Sequence, residues 1–311
     1  MKCSFCDRQA VYFKRISGVA YCKNCFIKHV EDRVRWTINK GKLFDWNDNI
    51  VLAVSGGKDS VVMMKIVSKI ERNFPDVKLT AITIDEGFNG YRVEGIRIAK
   101  KFSSMFGVEH LTFSFKDFYG YTLKEIIDIA EKKGSPYHPC TYCGVLRRKI
   151  LNVKGREIGA TKIATAHNLD DEAQTILMNI LRGDIGRLIE SFRIESQKYE
   201  GFIPRVKPMK YIPEKEIALY AYYSGIDLYS NECPFSKLSL RSEIRSFLND
   251  YETRHPDVKF SIVSSFEDFV NKIMGKEDLM KIKLNRCKHC GEPTTREICR
   301  ACELLEDLKI L

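Results

Sequence analysis

The sequence predicts an α/β protein with a doubly wound parallel sheet, flanked by a small metal-folded ribbon at each end. Three observations carry this expectation. Short apolar runs alternate with helical patterns from Asn49 onward, as in a βαβ series. One of these runs, Val51-Leu52-Ala53-Val54, breaks into Ser55-Gly56-Gly57-Lys58-Asp59-Ser60 and passes directly into an apolar helical pattern that continues to Ile70. Finally, the eleven cysteines divide by position into four, three and four. The outer groups are built from Cys-x-x-Cys pairs at zinc-ribbon spacing.

With 311 residues and 44% hydrophobic residues, the chain has ample material for a buried core. It contains no apolar run of about 20 residues, the length a membrane span needs, and its first residues carry no signal-peptide core. A cytoplasmic protein with no membrane association is expected. The formal net charge of +10 favours a polyanionic partner without identifying one. In a cytoplasmic chain, cysteines in this number are expected to be metal ligands or reactive thiols rather than disulfides.

The elements follow in order. Val11-Tyr12-Phe13 and Val19-Ala20-Tyr21 flank Ser17-Gly18 and predict a hairpin between two cysteine knuckles. A helix is expected from Phe26 to Lys40, then a boundary at the polar turn Asp45-Trp46-Asn47-Asp48. Strands are expected at Leu79–Ile84, His110–Ser114 and Lys162–Ala166. Helices are expected at Tyr91–Phe106, Leu123–Lys133, from Val145 to Glu157, at Leu169–Leu181 and from Pro213 to Tyr223. Two further helices are expected at Leu240–Tyr251 and Ser265–Met274. The domains expected are 1–48, an N-terminal ribbon with a basic helix; 49–280, the nucleotide and reaction domain; and 281–311, a C-terminal ribbon.

A strand that ends in two glycines and enters a helix is suited to phosphate. The glycines leave backbone N–H groups uncovered, and the helix N-terminus adds partial positive charge. The pattern is not a Walker A loop, because the lysine directly follows the glycine pair. In a parallel sheet, ligands lie beyond the carboxyl ends of the strands, so Ser55, Ile84, Asp85 and His167 are candidate lining for a nucleotide pocket.

Cys3, Cys6, Cys22 and Cys25 form one four-thiolate set, and Cys287, Cys290, Cys299 and Cys302 the other. His29 and His289 are alternative ligands near the two sets. The remaining cysteines are Cys140 and Cys143, in Pro139-Cys140-Thr141-Tyr142-Cys143-Gly144, and Cys233. Proximity to a helix N-terminus, with cations following, is expected to lower the pKa of the paired thiols. Three readings of this trio stand beside a redox dithiol at Cys140 and Cys143 and ordinary packing of Cys233. It could hold three irons of a 4Fe-4S cluster with the fourth open, it could carry a persulfide, or it could bind zinc with three cysteines. Asp170-Asp171, at the start of a helix, suits Mg²⁺ on a triphosphate or, equally, compensation of the helix dipole.

The order Ser-Gly-Gly-Lys-Asp-Ser resembles the PP-loop of the ATP pyrophosphatase superfamily. Four features occur in sequence: that loop, Pro-Cys-Thr-Tyr-Cys-Gly followed by Arg147-Arg148, the stretch Thr165 to Ala173, and Cys233-Pro234. Together with a ribbon at each end, they resemble the TtuA-type tRNA 2-thiouridine synthetases, relatives of the TtcA cytidine-thiolating enzymes. The resemblance covers essentially the whole chain. It implies ATP at Ala53, Val54, Ser55, Gly56, Gly57, Lys58, Asp59 and Ser60, with Ile84, Arg147, Ala166 and His167 around it. It further implies a 4Fe-4S cluster at Cys140, Cys143 and Cys233, and catalytic duties for Asp59, Arg147, Asp170 and Asp171. The implied reaction is ATP-dependent 2-thiolation of a tRNA uridine, with the T-loop position 54 as target and a thiocarboxylated ubiquitin-like protein as sulfur donor. Close relatives act on the wobble uridine instead. Two zinc ions, Mg²⁺ and a homodimer complete the expectation. Against it stand a PP-loop amide-forming synthetase, which has no use for three central cysteines, and a tRNA-binding scaffold with a degenerate loop.

Overall fold

The computed structural model describes residues 1–88, 90–184, 186, 188–189, 200–226, 233, 235, 240–273 and 284–310. The expected domain boundary at 280 and the end of the helix expected at Met274 lie outside the described residues. Among the described residues, no helix is long and apolar enough to cross a membrane.

The chain opens with an antiparallel hairpin, β1 (Tyr12–Lys14) and β2 (Val19–Tyr21), followed by α1 (Lys23–Gly41). The central unit then runs β3 (Asn49–Ala53), α2 (Lys58–Glu71), β4 (Lys78–Asp85), α3 (Tyr91–Met105) and β5 (Glu109–Ser114). After α4 (Phe115–Tyr119), α5 (Leu123–Lys132) and α6 (Pro139–Glu157) come β6 (Lys162–Ala164), α7 (Leu169–Leu181), β7 (Arg205–Val206) and α8 (Glu214–Tyr223). Helices α9 (Leu240–Arg254) and α10 (Val258–Ile273) precede a second small hairpin, β8 (Asn285–Arg286) with β9 (Pro293–Thr294), and α11 (Arg300–Asp307).

The five-stranded sheet has the order β5-β4-β3-β6-β7, and each adjacent pair is parallel. Strand order reverses at β3, which pairs with β4 on one side and β6 on the other. The carboxyl ends of β3, β4 and β6 therefore flank the crevice where a doubly wound sheet binds its ligand.

Alternation along β3 separates two cores. Ile50 and Leu52 face the cluster containing Phe26, Val30 and Val34 of α1, the apolar face of α2, and Ile217 and Tyr220 of α8. Val51 faces the opposite side with Ile126 of α5, Leu146 and Ile150 of α6, and Cys287, Cys299 and Cys302 of the C-terminal ribbon. Successive strand residues point to opposite faces, so the same short run nucleates both layers. A third cluster joins Leu169, Ala173 and Ile176 of α7 to Ile244 and Leu248 of α9 and Val263 of α10.

Several elements depart from expectation: the short helix α4 and the terminal helix α11 were not expected, β6 ends at Ala164 rather than Ala166, and three further departures have a clear physical cause. Strand β7 was hidden because it has two residues, lies between Pro204 and Pro208, and begins with a charge; pairing with β6 creates it. Helix α6 begins at Pro139 rather than Val145. Proline suits the first helical position, and Nδ1 of His138 accepts the Cys140 N–H at 3.2 Å, so both cysteines lie in the first turn or just above it. Helix α10 starts at Val258, seven residues before Ser265. Its β-branched start disfavours helix locally, but buried Val263 and Val270 recur at helical spacing and override that preference.

Candidate active site

The glycine turn follows β3 directly. Ser55 N–H donates to Ser60 Oγ at 3.2 Å, Ser60 Oγ donates to Gly57 O at 2.8 Å, and Gly57 N–H donates to Ser55 Oγ at 3.3 Å. These bonds curl the loop on itself, while Gly57, the N-cap of α2, supplies no side-chain cap. The exposed end of α2 is thus aimed at the crevice with its amide dipoles available to an anion. Gly56 has φ +85°, and a Cβ there would lie 2.0 Å from the Gly95 carbonyl oxygen of α3. Gly56→Ala is therefore expected to destabilise the chain by about 2 kcal/mol or more and to abolish nucleotide binding, checked by thermal denaturation and calorimetry.

Lys58 Nζ reaches Glu214 Oε1 at 2.6 Å and Asp59 Oδ2 at 3.2 Å. Burial opposes the lysine charge, but the Asp59 and Glu214 carboxylates outweigh it and hold the Lys58 pKa above its ordinary value. Asp59 Oδ1 is buried without a hydrogen-bond partner. Burial pushes the Asp59 pKa up to about 6, against the pull of Lys58 and with added repulsion from Glu214 and Asp171. An orphaned carboxylate oxygen beside a phosphate turn and further carboxylates is a donor set that fits a hard divalent cation.

The sign of that shift gives a test. Between its ordinary pKa of 3.8 and about 6, the folded ligand-free chain holds a proton on Asp59 that the unfolded chain has released. The contribution to stability is full below the lower value and is lost as pH rises through the upper one. Asp59→Asn is expected to be more stable than the parent above pH 6 without ligand, yet to bind Mg·ATP more weakly. Denaturation and binding titrations across pH 5 to 8 check both.

The acidic pair at the start of α7 separates into two roles. Asp170 is 5% exposed; its Oδ1 takes the ammonium of buried Lys259, and its Oδ2 accepts the Glu214 N–H at 2.7 Å. Asp170 therefore sets the start of α8, from which Glu214 reaches Lys58. Asp171 forms a capping box with Asn168, its Oδ2 accepting the Asn168 N–H at 3.2 Å, while Oδ1 lies 3.7 Å from Arg241 Nη1. Burial raises the Asp171 pKa, opposed by the Asn168 N–H and Arg241.

His167 follows β6, with Nδ1 2.9 Å from Thr165 Oγ1. The residue is exposed at the crevice, and packed protein around the ring together with the Lys207 cation lowers its pKa. It is neutral, and Lys207 is itself held by Glu172 at 2.8 Å.

Cys140 is exposed, and Cys143 and Cys233 are half-buried. The Cys140 thiol lies 3.9 Å from Phe235 O, which brings the Cys233 segment to the start of α6. The expected lowering of thiol pKa is not what the structure produces. Burial pushes Cys140 up and Cys143 up to about 11; the Cys233 charge adds to the rise, and Arg147 only partly offsets it. Desolvation is the largest influence on both thiols.

The two outer quartets close tightly. In each, all four sulfurs lie within 4.8 Å of one another, with Cys6 to Cys22 at 3.5 Å, Cys6 to Cys25 at 3.9 Å and Cys290 to Cys299 at 3.7 Å. Tetrahedral Zn–S bonds of about 2.3 Å place thiolates roughly 3.8 Å apart, so both sets fit zinc. His29 instead lies tilted against Tyr21, with ring centroids 4.7 Å apart, and His289 lies 3.3 Å from Glu306. Among the described residues, the central three do not form so tight a group. A cubane, with irons on alternate corners, needs its cysteines further apart than one zinc ion does, so the wider spacing is compatible with a cluster.

Sequence reasoning passed over Glu86, Arg92, Glu214, Lys259 and Arg241 as site residues. Each depends on at least one partner far along the chain, and no local spacing marks them.

The reversed sheet order, the uncapped glycine turn and the carboxylates beside Lys58 define a PP-loop nucleotide-binding α/β protein. Residues 27–252 match the PP-loop domain family, and residues 2–27 match the family described as 2-thiouridine synthetase TtuA, N-terminal LIM domain. Cytoplasmic tRNA 2-thiolation protein 1 of Chlamydomonas reinhardtii is 38% identical over 92% of this chain and 79% of its own. The tRNA 2-thiolation protein NcsA of Haloferax volcanii is 34% identical over 99% of both chains. The solved U34-tRNA thiolase NcsA from Methanococcus maripaludis, with its 4Fe-4S cluster, superposes with a TM-score of 0.85 at 37% identity, covering 99% of this chain and 96% of that one. The chain belongs to the PP-loop family of tRNA 2-thiolation proteins.

Proposed function

We propose that this protein replaces the C2 oxygen of a tRNA uridine with sulfur at the expense of ATP, and that its target is the wobble uridine. The observation that carries the reaction is the convergence of the uncapped PP-loop and the cysteine-bearing start of α6 on one rim of the sheet, linked where Arg147 faces Glu86 at 3.6 Å. The wobble assignment is supported by the likeness to the U34-tRNA thiolase over 99% of this chain.

A uridine C2 oxygen is a poor leaving group. Attack of that oxygen on the α-phosphorus of ATP expels pyrophosphate and leaves an adenylated base; attack of sulfide on C2 then expels AMP. Ser55 to Ser60 and the α2 N-terminus hold the phosphates, and Lys58 and Arg147 neutralise charge on the departing pyrophosphate. Asp59, with Glu214 and Asp171 near it, would hold Mg²⁺. Asp170 positions Glu214 rather than meeting the metal. Neutral His167 is a hydrogen-bonding wall that adds no competing charge. Cys140, Cys143 and Cys233 would hold a 4Fe-4S cluster, which supplies a Lewis-acidic position for sulfide. The outer quartets would hold one zinc each as structural sites.

The same proposal includes tRNA as substrate, a thiocarboxylated ubiquitin-like sulfur donor, a homodimer and a cytoplasmic location, the last supported by the relatives' printed names. A T-loop target is the second reading, favoured by the match of residues 2–27 to the TtuA N-terminal domain. Two measurements decide these points. Anaerobically purified protein should contain iron, sulfide and zinc; zinc without iron in fully active protein would exclude the cluster. Base analysis of tRNA from a deletion strain should show loss of the 2-thio group at position 34, whereas loss at position 54 would establish the second reading.

A further inference from the structure

Glu86 and Arg92 are both nearly inaccessible, at 4% and 3% exposure, and pair at 2.6 Å. Two charges withdrawn from water contribute little net stability, and well-packed apolar residues would serve as well for that purpose. What apolar residues cannot do is hold backbone carbonyls. Arg92 Nη1 donates to Ser55 O at 3.0 Å, and Nε donates to Ile84 O at 2.7 Å. These carbonyls belong to the first residue of the PP-loop and the end of β4, so one guanidinium fork joins two sides of the nucleotide crevice. Packing reinforces the fork, because a Cβ on Gly95, one turn further along α3, would meet Ser55 O at 2.8 Å.

The second Glu86 oxygen, Oε1, faces Arg147 Nη1 at 3.6 Å. Arg147 lies four residues after Cys143, hence on the same face of α6. A continuous set of contacts thus runs from Ser55 through Arg92 and Glu86 to Arg147 and the cysteine helix.

We propose that Glu86 and Arg92 are positioning residues that couple nucleotide binding at the PP-loop to the orientation of Arg147 and the start of α6. The inference rests on the PP-loop reading and goes beyond it by assigning a mechanical link between the ATP site and the cysteine site. Nucleotide binding draws the loop and Arg92 into one geometry, Glu86 follows Arg92, and Arg147 with its helix turn follows Glu86.

The test is amide hydrogen exchange on the anaerobically purified holoprotein, with and without a non-hydrolysable ATP analogue, and needs neither tRNA nor a sulfur donor. In the parent, analogue binding is expected to slow exchange in both the PP-loop and residues 140–147. Glu86→Gln is expected to bind the analogue and protect the PP-loop while losing the protection in α6. Arg92→Lys keeps the charge but loses the fork, and should bind the analogue about tenfold more weakly, the scale of one lost hydrogen bond to a charged group. Because Glu86→Gln leaves Arg92 a buried cation without its charge partner, Arg147→Gln serves as the second variant. It removes the link from its half-exposed end and should lose the same α6 protection. In turnover, Glu86→Gln and Arg147→Gln combined should be no slower than Arg147→Gln alone. Retained α6 protection in either variant, or additive turnover losses, would overturn the coupling. A parent chain that protects both segments but thiolates no tRNA would instead refute the proposed reaction and leave the coupling standing.

Discussion

Replacement of Lys58 by Met is expected to lower ATP-dependent turnover by about 100- to 1000-fold, the loss typical when one preorganised charge is removed from a developing anion. Without nucleotide, Lys58 is shared between Asp59 and Glu214. In the proposed reaction the incoming triphosphate would compete for it, and the released carboxylates would then be available to the accompanying cation. Lys58→Met therefore removes a phosphate contact and also leaves Asp59, Glu214 and Asp171 repelling one another. Pyrophosphate release with tRNA and ATP measures the effect. The folded chain should survive, because Lys58 lies at a solvent-reached crevice, and circular dichroism with thermal denaturation checks this. A loss under tenfold would show that the loop amides and Arg147 suffice.

The second large effect is structural. Lys259→Met is expected to destabilise the protein by roughly 3 to 5 kcal/mol, because it strands a buried carboxylate. Lys259 is 3% exposed and joins Asp170, Asn249 Oδ1 at 2.6 Å and Glu252 Oε2 at 3.1 Å. It connects the start of α7 to α9 and its own helix α10. The double replacement Asp170→Asn with Lys259→Met should recover part of the loss, since the most buried carboxylate is then neutral and Glu252 keeps Lys215 at 3.8 Å, although the Glu214 N–H keeps only an amide acceptor. Chemical denaturation of the three variants measures the coupling. ATP affinity should fall as well in Lys259→Met, because Asp170 sets the start of α8 and with it Glu214. Unchanged ATP affinity would separate the clasp from the site.

The features legible from sequence are those written in local spacing. Four cysteines in two Cys-x-x-Cys pairs, a glycine pair between a strand and a helix, and period-two against helical apolar patterns each specify a local geometry with few alternatives. Where tertiary contact competed with local preference, the reading slipped. Strand β7 exists through pairing with β6, and the start of α10 exists through packing of Val263 and Val270. The cysteine pair was expected at an activating helix terminus, but burial of Cys143 dominates its titration. Asp170 and Asp171 look equivalent in sequence, yet one faces buried Lys259 and the other caps its own helix.

The sequence by itself therefore determined the doubly wound α/β class, the phosphate turn at Ser55 to Ser60, the two four-cysteine sets and the presence of three spare cysteines. Tertiary structure alone decided which charges meet. Lys58 finds Glu214, Asp170 finds Lys259, and Glu86 joins Arg92 to Arg147, all across separations that carry no periodic signal except the short step from Glu86 to Arg92. The physical reason is that an ion pair forms with whatever opposite charge the packed core brings within reach, and burial then sets its strength. Spacing along the chain fixes neither.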